Sequence, residues 1–168
     1  MANIIRPIPG TANSGAWAAL TLTAGDFNSC TSTGAALSST VIAQSTNLDS
    51  FLAVSFQINA SASPSTLAGP FLALYLLPKG NQGAPVYGDG YVSSKTVLPA
   101  QSYLVATANP TNATLTGNFT MNGYFPRVFI GDLVDDFMLA IGPGGPLAFN
   151  GTATASVWYR TINTNGNG

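Results

Sequence analysis

The one run of acidic side chains in the sequence, Gly131-Asp132-Leu133-Val134-Asp135-Asp136, is where carboxylate chemistry would have to occur. Paired carboxylates serve glycoside hydrolysis as acid and base or nucleophile, and Asp132 with Asp135 and backbone carbonyls would suit calcium. Neighbouring residues of a strand point to opposite faces, so Asp135 and Asp136 would not meet one bond in an extended chain. The fixed spacing of a calcium loop is also missing, and the run reads as a solvated turn or an inter-subunit ion pair. Ser94-Lys95 is the other formal option, but adjacent side chains of an extended segment diverge. With no His and a single cysteine, Cys30, the Ser-His-Asp and Cys-His solutions and histidine or cysteine metal sites are absent. The glycine-rich stretch 80–90 is followed by no helix whose N-terminus would hold a phosphate. The expectation is a non-enzyme with no catalytic residues, no metal and no cofactor.

The same poverty extends to the whole chain. Its 168 residues include five Lys or Arg and six Asp, a charged fraction of 7% against about 25% in ordinary soluble domains. Two Trp, six Tyr and nine Phe with a net charge of −1 describe a chain that folds, since disordered chains are poor in aromatics and rich in net charge. Five scattered cations do not make the basic stripe that direct nucleic-acid binding needs. No stretch approaches the about 18 apolar residues of a membrane span, and residues 1–7 lack the apolar segment of a secretory signal. Synthesis in a cytoplasm is expected, so the sequons at Asn59, Asn112, Asn118 and Asn150 read as products of an Asn- and Thr-rich composition. Cys30 reads as a small apolar residue.

The elements that position these residues are short strands separated by Gly, Pro and Asn turns. Residues 1–15 contain Pro7, Pro9, Gly10 and Gly15 and read as an extended N-terminal arm; residues 16–162 form one domain, and residues 163–168 a flexible polar tail. Strands are expected at 17–24, 36–44, 51–60, 71–77, 101–108, 115–121, 127–130, 136–141 and 152–161. The segment 51–60 alternates, with Leu52, Val54, Phe56 and Ile58 on one face and Ser55, Gln57 and Asn59 on the other. The segment 71–77 is apolar on both faces, as a strand covered on each side requires. Residues 79–99 read as a long loop with a short strand near 91–93, and Gly142-Pro143-Gly144-Gly145-Pro146 as a turn. Eight to ten short antiparallel strands without helices predict an all-β jelly-roll β-sandwich, with an immunoglobulin-like sandwich as the alternative.

The period of two places Ala153, Ala155, Val157 and Tyr159 inward on the last strand and Thr152, Thr154, Ser156, Trp158 and Arg160 outward. An outward Trp beside an Arg is the pairing favoured at interface hot spots. Trp158 and Arg160, with Ile4, Ile5, Arg6 and Pro7 of the arm, are the expected protein-contact residues. A surface of Thr, Ser and Asn can be buried against a partner without the cost of desolvating charge.

Laid out in this order, the chain resembles the capsid decoration, or cement, proteins of tailed bacteriophages, a family of small jelly-roll structural proteins. The resemblance is carried by Phe71-Leu72-Ala73-Leu74-Tyr75-Leu76-Leu77-Pro78 and the following loop with Asn81, Tyr87, Gly88, Asp89 and Gly90. It continues through residues 102–106, Pro126-Arg127-Val128-Phe129, Phe137-Met138-Leu139-Ala140-Ile141, Asn150-Gly151-Thr152 and Val157-Trp158-Tyr159-Arg160-Thr161, covering about residues 50–162. The loop after Pro78 is longer and richer in Gly and Pro than the family pattern, and the first 50 residues have no counterpart in it. The resemblance implies a homo-oligomer, trimer ahead of dimer, synthesised in the host cytoplasm. It would sit on the capsid exterior of the virion and cement neighbouring major capsid protein subunits. A carbohydrate-binding, lectin-like jelly roll on the virion surface is the alternative, with Tyr87, Tyr91, Tyr124 and Phe125 as stacking residues.

Overall fold

The computed structural model describes residues 8–9, 16–22, 34–44, 49–60, 71–82, 84–91, 97–108, 119–133, 135–144 and 153–163. Their strands are β1 (Ile8–Pro9), β2 (Ala18–Leu20), β3 (Ala36–Leu37), β4 (Phe51–Ala60), β5 (Phe71–Gln82), β6 (Ala84–Tyr87), β7 (Leu104–Ala108), β8 (Phe119–Phe129), β9 (Phe137–Gly144) and β10 (Ala153–Asn163). Two 3-10 turns, Gly88–Gly90 and Gln101–Tyr103, are the helical elements among the described residues. In sheet 1 the order is β2-β10-β4-β8, with β1 also on β10; in sheet 2 it is β3-β9-β5-β7, with β6 extending from the far end of β5. Every pairing is antiparallel. The nested pairs β2/β10, β3/β9, β4/β8 and β5/β7 alternate between the two sheets, the double Greek key of a jelly roll.

The contrast between β4 and β5 organises the molecule. β4 alternates as its sequence does: Leu52, Val54, Phe56 and Ile58 are buried, while Gln57 and Asn59 are exposed. β5 is buried on both faces from Leu72 to Leu77. Leu72, Leu74 and Leu76 enter the core between the sheets with Phe56, Phe125, Phe137 and Ile141. Ala73, Tyr75 and Leu77 point the other way, into a second cluster closed by Ala35, Ala140, Tyr87, Tyr91, Leu98, Tyr103 and Leu104. The described parts of the segment from β6 to the start of β7 therefore lie as a cover on the outside of sheet 2. In the main core, Gly123 of β8 pairs with Phe56, and a Cβ there would fall within the Phe56 ring.

Several expected boundaries move. β5 runs on to Gln82 because Pro78, lacking an N–H, closes its pairing with β9 opposite Phe137, and from Lys79 onward the strand turns back on β6 as a hairpin. Residues 79–82 and 84–87, read as loop, are thus strand, while Tyr91 follows a 3-10 turn and residues 92–96 lie outside the described residues. The expected strands at 115–121 and 127–130 belong, in their described part and apart from Ile130, to one strand, β8; Pro126 is accommodated where the register with β4 shifts between Leu52 and Val54. Gly142, Pro143 and Gly144, read as a turn, continue β9 against Ala73, Leu72 and Phe71. Gly142 is needed there because a Cβ would collide with the carbonyl oxygen of Gly34. Gln101–Tyr103 is a 3-10 turn ahead of β7, and Asn163, assigned to the tail, is the last residue of β10. Within the expected arm, Ile8 and Pro9 pair with Asn163 and Ile162 of their own β10; residues 1–7 and 10–15 lie outside the described residues.

Candidate functional site

The outer face of sheet 1 is built around β10, which has β4 on one side and β2 on the other. Val157 and Tyr159 are buried and Thr154, Ser156 and Trp158 exposed, the phase expected from the sequence. Across the sheet, Trp158 stands opposite Ser55 of β4, and Ser55 opposite Tyr124 of β8. The small Ser55 side chain leaves a trough between two large ones. Trp17, one residue before β2, leans into it: its ring centroid is 6.0 Å from that of Tyr124 at an interplanar angle of 60°. Trp17, Ser55 and Trp158 line a groove of about 300 Å³. Trp17, Trp158 and Tyr124 retain 41%, 39% and 44% of their exposure, although aromatic rings of this size are usually well buried.

Arg160 supports this layer from below. Its guanidinium carbon lies 4.8 Å from the Trp17 ring centroid, an arrangement worth about 0.5–2 kcal/mol depending on desolvation. Its Nε is buried with no hydrogen-bond partner among the described residues. Ala53, its cross-strand neighbour on the outward side, is fully buried. One row along the strands, Ser156 faces Gln57 and Gln57 faces Asn122, with Gln57 Nε2 donating to Asn122 Oδ1 at 3.0 Å.

A second surface lies where the edges of the two sheets meet, at β7 and β8. Leu76, Pro78, Tyr103, Val105, Phe129 and Leu133, with Asp132 and Ser102, line an apolar groove of about 350 Å³. Val105 and Phe129 remain 40% and 57% exposed. Phe129 is steadied edge-on by Phe51, centroids 5.5 Å apart, and Phe51 in turn lies under the Arg127 guanidinium at 3.8 Å. The turn that carries Asp132 and Leu133 is fixed by Ile130 N–H donating to Ser50 O at 2.9 Å and Leu133 N–H to Ile130 O at 3.0 Å. Behind it the buried Gln44 amide donates to Asp49 O and accepts from Asp49 N–H.

The other candidates separate. Asp132 and Asp135 are exposed. Asp136 is committed to structure: its Oδ1 accepts from Gln44 N–H at 3.1 Å and its carbonyl from Lys79 N–H at 2.8 Å. Among the described residues no three His, Cys, Asp or Glu side chains gather as a metal site. Of the four expected stacking residues, Tyr124 is on the open face. Phe125 is core, 5.5 Å from Phe56. Tyr87 and Tyr91 are half-buried in the cover, where the Tyr91 hydroxyl donates to Ala35 O at 2.8 Å and lies 3.0 Å from Val97 O. Ile4, Ile5, Arg6 and Pro7, like Cys30, Ser94 and Lys95, lie outside the described residues. Sequence reasoning missed Trp17 as a partner of Arg160; the signal was an exposed-phase Trp at a strand start, but its cross-strand neighbour is more than 140 residues away.

No protein-family model matches the chain, and neither a curated protein nor a solved structure matches it.

Proposed function

We propose that this protein is a non-enzymatic structural component of a bacteriophage virion, a homo-oligomer bound to the capsid exterior where it cements neighbouring major capsid protein subunits. The observation that carries the reading is the apolar groove at the β7–β8 edge, with Val105 and Phe129 exposed on a chain with eleven Lys, Arg and Asp side chains in total. Exposed apolar side chains gathered at one place mark association surfaces, and a rim with little charge is buried against a protein partner at small electrostatic cost. The segments that resemble the decoration family support it too, because they form β5, β7, β8, β9 and β10, the greater part of both sheets. The arm residues Ile4, Ile5, Arg6 and Pro7 are proposed as a second contact, which lets one molecule bridge two subunits.

The test is co-sedimentation with capsids that lack the protein. The wild type should pellet with particles and raise the temperature at which they release DNA. Val105→Asp and Phe129→Asp should lose attachment while remaining folded, and removal of residues 1–7, which spares β1, should weaken it. Attachment that survives both groove substitutions would refute the assignment of the groove, and no association with any capsid would refute the reading. The mass of the free protein decides between trimer and dimer.

A further inference from the structure

We infer that the groove between Trp17 and Trp158 is a binding site for a neutral saccharide, an activity separate from the capsid contact and located on a different surface. Three observations converge on that ligand class. First, the groove has two indole walls and a Ser55 floor, with the Tyr124 ring adjoining Trp17. A pyranose ring has an apolar C–H face that packs on an aromatic surface and a perimeter of hydroxyls that needs hydrogen-bonding partners.

Second, those partners are in place and uncharged. The Ser55 hydroxyl is in the floor, and the Gln57–Asn122 amide pair and Ser156 stand one row, about 7 Å, along the strands. Gln57 Nε2 donates one of its two hydrogens to Asn122 Oδ1, and Gln57 Oε1 is an acceptor for a ligand hydroxyl. An aromatic side chain of a partner protein would leave this polar row unanswered; a sugar would not.

Third, no charged side chain is among the described residues that line the groove. Arg160 stacks on Trp17 and Arg127 on Phe51, and the described outward side chains of β2, β4, β8 and β10 include no carboxylate. The uncharged lining of the groove suits a neutral ligand, and a volume of about 300 Å³ is at the small end of ligand sites, the scale of one or two sugar rings. Trp158 and Ser55 sit on central strands with neighbours on both sides, so one wall and the floor are held before the ligand arrives and little of their ordering is lost on binding.

The chain contains two tryptophans, Trp17 and Trp158, and both line this groove, so intrinsic tryptophan fluorescence reports on the site alone. Titration of the full chain with cello-, chito-, manno- and galacto-oligosaccharides should shift that fluorescence saturably for at least one series. Trp158→Ala and Trp17→Ala, read by calorimetry, should each weaken binding by about tenfold or more, as expected of an aromatic anchor. Ser55→Leu, which fills the floor from a surface position, should abolish it. Phe129→Asp at the edge groove should leave it unchanged, and that variant keeps this test distinct from that of the capsid reading. The inference is overturned if no series shifts the fluorescence, or if binding is equal in wild type, Trp158→Ala and Ser55→Leu. It is also overturned if Trp158→Ala abolishes capsid attachment and saccharides do not bind, which would make the face a protein contact.

Discussion

The outer faces of the two sheets are treated in opposite ways. Outside sheet 2, Ala73, Tyr75 and Leu77 are covered by Tyr87, Tyr91, Leu98, Tyr103 and Leu104. Outside sheet 1, Gln57, Asn59, Thr154 and Ser156 stay exposed, and Trp17, Tyr124 and Trp158 keep about two fifths of their surface. The difference begins in the strands. β5 is apolar on both faces and requires the chain to return over it, whereas β4 alternates and is satisfied with water on one side. What the molecule covers is core, and what it leaves open while still furnishing it with aromatic rings is available for binding.

The comparison breaks most easily at Leu77, fully buried beneath the cover. Leu77→Ala should lower the free energy of unfolding by about 2–5 kcal/mol in urea titration. A loss no larger than that of Trp158→Ala would show that the cover is not a core. Next comes the division between the two sides of sheet 1. Gly123→Ala thrusts a methyl into the Phe56 ring and should cost about 3 kcal/mol; Gln57→Ala on the outward side should cost about 0.5 kcal/mol or less. Thr161 is buried on the inner side with no partner for Oγ1 among the described residues. Replacing it with Val should therefore raise stability by about 1 kcal/mol.

Titration sharpens the contrast further. Burial raises the phenol pKa of Tyr75 under the cover and of Tyr159 in the main core. A group held protonated by the fold contributes its stability fully below its ordinary pKa, about 10 for tyrosine. That contribution is lost as pH rises through the higher folded value. The urea midpoint should accordingly fall above pH about 10, and less steeply in Tyr75→Phe; an identical decline would remove Tyr75 as a cause. Trp158→Ala should also change stability little, by about 1 kcal/mol or less, measured on the same samples whose ligand binding it should impair.

Much of this division was legible in the residues. The alternation of 51–60 and the two-sided apolar run at 71–77 gave correct strands and faces, and the phase of β10 placed Trp158 outward. Gly142-Pro143-Gly144 misled because turn composition is a local signal, whereas the reason for glycine there is the close passage of Gly34, a contact between distant segments. Pro126 misled in the same way, since a shift in register with β4 absorbs it. The groove was half legible: Trp158 and Arg160 follow from one strand's period, but Trp17, Ser55 and Tyr124 join them only through the pairing of four strands.

The position of β10 has a consequence for how the protein is made. Ala153–Asn163 is synthesised after every other described strand, yet it sits inside sheet 1 between β2 and β4. Until it emerges from the ribosome, β4 has an open edge and the apolar face of sheet 1 has no full width to present to sheet 2. The jelly roll is therefore expected to close only once β10 has been made. Pairings of such sequence separation are slow to form, and an exposed strand edge in the waiting chain is a target for aggregation.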